Sequence, residues 1–353
     1  MKKRLTILIL TLSLAACGPT GSSGSGGNGG GSGGAGGNTG GSSGSGTGGV
    51  GGGTGGSGGG GICGGVDQMN PGCATGAQYI YTVDENNHFF RYNPALPKGQ
   101  RYMDLGVLNC PSTGTCPNGL GTGPATPFSM GVDRNAIAWV LYCDGSLFRV
   151  DINNNIACTA TSFAKNQAGF EVFGMGFSAD AAMSMSETLF ISGGASANID
   201  MGSAQFGKIA FPAMNVSSVG TVAAGWPELT GTGDAELWGF FPSDTGTPRV
   251  AKLNKGSGAD LTSYNVTGVV GMPQAWAFGF WCDGFYIFLK RATDASTIVY
   301  HVTRATGMPD PQPFDDTPGH TIVGAGVSTC APIVGVHYDE NGNPWYDSDY
   351  QQR

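Results

Sequence analysis

Nine cysteines are the most reactive side chains in this chain of 353 residues. Cys17 stands apart near the N-terminus. The other eight are Cys63, Cys73, Cys110, Cys116, Cys143, Cys158, Cys282 and Cys330. An even set in an exported chain reads as a disulfide framework. Spacing favours two short-range pairs, Cys63–Cys73 and Cys110–Cys116, the second within the turn-rich run Cys-Pro-Ser-Thr-Gly-Thr-Cys. Zinc fits poorly, because there is no Cys-x-x-Cys and no histidine near any pair. The four histidines, His88, His301, His320 and His337, stand at no ligand spacing. Calcium has the better claim, since Asp151, Asn153 and Asn155, and again Asp339, Asn341 and Asn343, set side-chain oxygens at alternate positions, as a hard cation requires. The same residues are the ordinary chemistry of hairpin turns. Trp226 and Trp345 each adjoin a proline in an expected loop, which makes them candidate exposed stacking surfaces for a ligand.

Strand-like runs separated by Gly, Asn and Asp turns must position these residues. Gln78–Val83 and His88–Tyr92 flank Asp-Glu-Asn-Asn. Ala136–Tyr142 and Ser146–Val150 flank Cys-Asp-Gly, as do Ala275–Trp281 and Phe285–Lys290. Each is a hairpin signature. No segment sustains a helical apolar period, so few helices are expected. A longer repeat is superimposed. A small, glycine-bearing apolar strand recurs at Phe128-Ser-Met-Gly-Val-Asp, Phe173-Gly-Met-Gly-Phe-Ser, Glu228-Leu-Thr-Gly-Thr-Gly-Asp, Trp276-Ala-Phe-Gly-Phe-Trp and Ile333-Val-Gly-Val-His-Tyr-Asp. The copies are about 45–57 residues apart, the length of four antiparallel strands with their turns.

The expected fold is therefore all-β, a β-propeller of about five four-stranded blades, with six or seven as alternatives and a Greek-key sandwich as the rival architecture. Residues 127–163, 173–222, 227–269 and 275–329 each supply four strands. Residues 78–109 supply three, and 332–339 supplies the missing innermost strand, so the two chain ends close one blade together. In this geometry Cys143 and Cys158 fall on opposite edges of one blade. A strand length of roughly 17–20 Å separates those edges, against a disulfide Cα limit of about 7 Å, so the two should not pair.

The run from Thr126 to Phe148, with Phe173-Gly-Met-Gly-Phe, Glu187-Thr-Leu-Phe, Glu228-Leu-Thr-Gly-Thr-Gly-Asp and Gly324-Ala-Gly-Val-Ser-Thr-Cys-Ala-Pro, resembles lipid-anchored propeller proteins of myxobacterial type. The resemblance implies a fold and a location, and it transfers no site residue.

The N-terminus is read independently. Lys2, Lys3 and Arg4 precede the apolar run Leu5–Leu14, and Leu14-Ala15-Ala16-Cys17 follows. Residues 1–16 have the layout of an export signal. The four residues ending at Cys17 resemble the bacterial lipobox, which implies cleavage before Cys17, diacylation of its sulfur and acylation of its new amine. Gly18, rather than Asp, after the cysteine implies sorting to the outer membrane, on its periplasmic or cell-surface face. Residues 17–61 form a lipidated, Gly/Ser-rich tether that cannot bury enough apolar surface to order itself. As a coil it spans about 35–40 Å. Residues 62–353 form the folded domain.

Charged residues make up 12% of the chain and the net charge is −8. No basic stripe is present, so nucleic acid is not an expected partner. The leading expectation is a non-catalytic scaffold, held to a membrane by its N-terminal lipid, that binds protein, peptide or glycan. The alternative is a calcium-dependent hydrolase or oxidoreductase, lactonase-like or sugar-dehydrogenase-like, with its site at the ring axis. There Glu228 and Asp234 share one inner-strand region, and Asp133, Asp180 and Asp339 end others. The catalytic residues of such an enzyme are not identifiable from sequence.

Overall fold

The structure is a computed structural model that describes residues 72–117, 119–121, 123–196, 202–223, 225–244, 246–334, 336–338 and 344–346. The export signal, Cys17, the tether, Cys63 and the oxygen set Asp339, Asn341 and Asn343 lie outside the described residues.

Five four-stranded antiparallel sheets form a β-propeller. Blade 1 contains β1 (Ile80–Asp84), β2 (His88–Tyr92) and β3 (Tyr102–Val107). Blade 2 runs outward through β4 (Pro127–Val132), β5 (Ile137–Tyr142), β6 (Leu147–Asp151) and β7 (Ala157–Ala160). Blade 3 comprises β8 (Val172–Ala179), β9 (Glu187–Gly194), β10 (Ala204–Ala210) and β11 (Asn215–Val222). Blade 4 comprises β12 (Glu228–Gly231), β13 (Leu237–Phe241), β14 (Arg249–Leu253) and β15 (Asp260–Asn265). Blade 5 comprises β16 (Pro273–Trp281), β17 (Gly284–Arg291), β18 (Thr297–Thr303) and β19 (Asp315–Thr317). β20 (Ile322–Val327) then returns to pair with β1 and becomes the inner strand of blade 1. We call the face where the inner strands begin the upper face, and the face where they end the lower face.

The closing strand differs from the sequence expectation. Blade 5 ends early because its outer strand is only Asp315–Thr317. This frees Ile322-Val-Gly-Ala-Gly-Val to close blade 1. Residues 332–339 do not close it. Ile333 makes an isolated parallel bridge to Cys282, and β21 (Val336–Tyr338) pairs only with β22 (Pro344–Tyr346). Two glycines explain why β20 fits the inner position. A Cβ on Gly326 would lie 3.0 Å from the carbonyl carbon of Gly131, and one on Gly324 would lie 3.2 Å from the backbone nitrogen of Met130.

The disulfides also differ. Cys73 pairs with Cys330, not with Cys63, across a sequence separation of 257 residues. The antiparallel register of Ile80 against Val327 brings the chain preceding β1 and the chain following β20 out at the same lower end. Cys110 pairs with Cys158 and Cys116 with Cys143, not with each other. The Cys110–Cys116 run is drawn across blade 2, one end stapled to outer strand β7 and the other to the β5–β6 turn. Cys143 and Cys158 do not pair, as their opposite edges require. Cys282 is disulfide-bonded as well. These bonds mark an oxidising, extracytoplasmic compartment. No helix among the described residues is long and apolar enough to cross a membrane.

The cores lie between blades. Phe173, Phe206, Leu229 and Phe241 share one cluster, and Phe240, Phe278, Phe280 and Phe285 share another. Around the axis the contact is tighter, because inner strands meet backbone to backbone. A Cβ on Gly231 of β12 would sit 2.1 Å from the carbonyl oxygen of Phe177 in β8 and 2.6 Å from the Cα of Ser178. Neither neighbour is a side chain that can rotate away. Gly231→Ala is expected to lower stability by about 1–3 kcal/mol through overpacking. Gly268→Ala, where the nearest atom is Pro309 Cγ at 3.9 Å, should stay within about 0.5 kcal/mol. Urea denaturation midpoints of the two variants check this.

Candidate functional site

The axis is where the alternative, enzymatic reading puts its site, and the inner strands pack closely around it. Gly174 of β8 faces the backbone of Pro227 and Glu228, and Gly326 of β20 that of Gly131 and Val132, whereas Gly131 of β4 and Gly279 of β16 face apolar side chains. The polar groups left inside bind across blades. The Phe280 N–H donates to Thr230 Oγ1 at 3.0 Å. Ser129 Oγ of β4 donates to Glu228 Oε2 of β12 at 2.8 Å, and the Met175 N–H of β8 also donates to this carboxyl. Glu228 is buried, and burial pushes its carboxyl well above the usual range. Its hydrogen bonds to Ser129 and Met175 link three blades, and they offset part of the cost of burying the carboxyl. Asp133 follows inner strand β4, as expected, and Asp234 lies just beyond the lower end of β12; there the Trp139 indole N–H bonds Asp133 and Arg304 pairs with Asp234. Asp180 accepts from Ser186 and Thr188 at the end of β8. Among the described residues, no group of three or more His, Cys, Asp or Glu side chains is set to hold a metal ion.

Asp151, Asn153 and Asn155 occupy the β6–β7 turn. Asp151 lies 3.5 Å from Arg149, and the Asn153 amide donates to the Thr75 carbonyl at 2.9 Å. Asn155 is in the left-handed region at φ 49°, a conformation asparagine accepts readily. Turn formation and attachment of the N-terminal segment account for all three.

Trp226 is not an exposed stacking surface. It is 6% exposed and packs toward Gly194 at the end of β9 in the core that blades 3 and 4 share. The loop before Pro227 turns inward to begin β12, and the indole follows it. Trp345 falls on β22, and its side chain is outside the described residues.

Two histidine arrangements emerge that sequence spacing did not show, because their members are far apart in the chain. His320 Nδ1 donates to the buried Asp84 carboxylate at 2.7 Å, with the His88 ring 5.4 Å away. His301 sits between Asp283 and Asp310. Burial alone would depress its pKa, but the two carboxylates outweigh this and hold it above the ordinary value.

Among the described residues, an open cleft of about 400 Å³ lies on the lower face, between blades 2 and 3. Asp133, Arg134 and Asn135 come from the β4–β5 turn, Met185 and Glu187 from the β8–β9 connection, and Phe211 from the β10–β11 turn. The polar members are held firmly. Asp133 Oδ1 accepts the backbone N–H groups of Asn135 and Ile137, at 2.8 and 3.0 Å. Glu187 Oε1 accepts the Arg134 N–H at 2.8 Å, and Oε2 accepts Thr329 Oγ1 at 2.7 Å. Arg134 Nη1 donates to Thr329 Oγ1 and to the Ser184 carbonyl. Burial, reinforced by the nearby Asp133 charge, pushes the Glu187 carboxyl up to about 7 against the opposing hydrogen bonds. Burial raises Asp133 too. The apolar side consists of Phe211, whose ring lies 4.6 Å from Trp139 and 6.0 Å from Phe177.

No protein-family model and no curated protein sequence matches the chain. Among solved structures it is similar to the Dos1 propeller, at 10% identity over 76% of this chain and 72% of that one, TM-score 0.37. It is similar to a putative TolB from Agrobacterium tumefaciens, at 10% identity over 69% and 90%, TM-score 0.35. A third likeness is to the α-L-arabinanase of Cellvibrio cellulosa complexed with arabinohexaose, at 11% identity over 64% and 97%, TM-score 0.35. These likenesses concern the propeller fold alone.

Glu187 makes stability depend on pH. The folded protein holds this proton up to about pH 7, whereas an ordinary glutamate loses it near 4.5. Between those values the folded state binds more protons, so stability falls as pH rises through the window and the loss is complete above it. Glu187→Gln removes this contribution. The thermal midpoint of the variant, relative to the parent, should rise from pH 5 to pH 8, and a midpoint difference independent of pH would contradict the assignment.

Proposed function

We propose that this protein is a lipid-anchored, extracytoplasmic β-propeller that presents a binding surface and performs no chemistry of its own. Close packing of the inner strands supports this reading. Around the axis Gly174, Gly231 and Gly326 meet the backbone of neighbouring blades, and the Glu228 carboxyl is tied into links between blades. The open concavity lies on the lower face, where turns from neighbouring blades supply aromatic and polar groups together.

Anchoring follows from the lipobox at Cys17 and the uncharged tether, and it accords with the resemblance to lipid-anchored propeller proteins. Three acyl chains at about 0.8 kcal/mol per buried CH₂ exceed the marginal hold of a single chain. At the outer membrane the propeller then meets its partner, a protein, peptide or glycan. The full chain, expressed in a Gram-negative host, should float with outer-membrane vesicles on a density gradient. Cys17→Ser should lose the lipid and leave that fraction. Equal flotation of both would contradict lipid anchoring.

A further inference from the structure

We infer that the lower-face cleft between blades 2 and 3 binds a neutral saccharide, with one face of a sugar ring against Phe211 and its hydroxyls meeting Asn135 and Glu187. The inference rests on the reading of the protein as a binding scaffold, and it narrows the class of ligand. Its volume, about 400 Å³, falls within the roughly 300–1,000 Å³ of small-molecule sites and admits one or two sugar rings.

Three observations select this class. First, the cleft offers apolar surface to solvent, and among the described residues Phe211 is the one aromatic side chain in the exposed class. Phe211 remains 39% exposed and Met185 67% exposed, while Trp139 and Phe177 support the Phe211 ring from within. A sugar presents a matching C–H face. Second, the polar groups beside that surface suit hydroxyls. Exposed Asn135 brings an amide that both donates and accepts. Glu187 is fixed through the Arg134 N–H and Thr329, and it carries a proton over much of the range below pH 7. One guanidinium, from Arg134, stands among the carboxyls of Asp133 and Glu187, so the cleft presents no strong charge of either sign. A cationic or strongly anionic ligand would lack its counter-charge. Third, the rim is made of turns, β4–β5 and β10–β11, and of the β8–β9 connection. An extended peptide that binds by strand addition needs a free sheet edge, and this cleft does not present one.

The test begins with an array of neutral and charged glycans probed with the full chain in detergent. The glycan that binds is then titrated by calorimetry against the parent protein and three variants. Phe211→Ala should weaken binding by about tenfold or more, as for a central aromatic contact, and Asn135→Ala by several-fold. Leu261→Ala, at an exposed position on outer strand β15, should leave it unchanged. Retained thermal midpoints show that the variants fold. Failure of every neutral glycan to bind, binding of charged glycans alone, or an affinity indifferent to Phe211→Ala overturns the inference. A peptide that occupies the cleft, shown by sensitivity to Phe211→Ala, overturns the sugar assignment and leaves the scaffold reading intact. Hydrolysis or oxidation of a bound sugar supports the ligand class and instead overturns the non-catalytic reading.

Discussion

The structure depends on how closely five inner strands can approach one axis. Adjacent strands meet through backbone, and side chains larger than hydrogen would collide at Gly174, Gly231 and Gly326. This crowding selects the small strands of the sequence repeat, and it selects β20 over the Ile333 segment for the closing position. Polar atoms trapped there must find partners on neighbouring blades, since an unpaired buried polar group is costly. Ser129 with Glu228, and Thr230 with the Phe280 N–H, do this, and so tie the ring together.

Polar side chains gather where strands end and turns of adjacent blades converge. On the lower face, Arg134 lies in the turn after the inner strand of blade 2, Glu187 begins the second strand of blade 3, and Thr329 follows the closing strand of blade 1. Their hydrogen bonds join three blades in one network. The same closure explains why the Cys73–Cys330 bond is long-range in sequence and local in space, since the register of β1 against β20 puts both cysteines at one end of the first blade.

Much of the fold was legible in the sequence because a propeller is built from local units. Hairpins such as Gln78–Tyr92 announce themselves through alternation and turn residues, and the inner strands through a recurring glycine. Closure was less legible. Ile322–Val327 and the segment at Ile333 are both glycine-bearing and apolar, and only the shortness of β19 and the contacts with Ser129–Val132 decide between them. Nearest-neighbour pairing of cysteines failed because the Cys110–Cys116 run is extended across blade 2. Trp226 resembled a surface residue because it adjoins Pro227, yet that proline begins a buried strand. The lower-face cleft was not legible at all. Asp133, Glu187 and Phe211 belong to different hairpins, and no spacing rule relates turns on neighbouring blades.

Close packing of the inner strands is most directly tested by amide hydrogen exchange followed by mass spectrometry under native conditions. Peptides covering Gly174–Phe177, Leu229–Gly231 and Gly324–Gly326 should exchange slowest in the protein, through global unfolding alone, because their backbone groups are sequestered between neighbouring blades. Exchange in these peptides as fast as in the outer strands β7 and β15 would show that water reaches the inner strands, and would contradict the close packing on which the account rests.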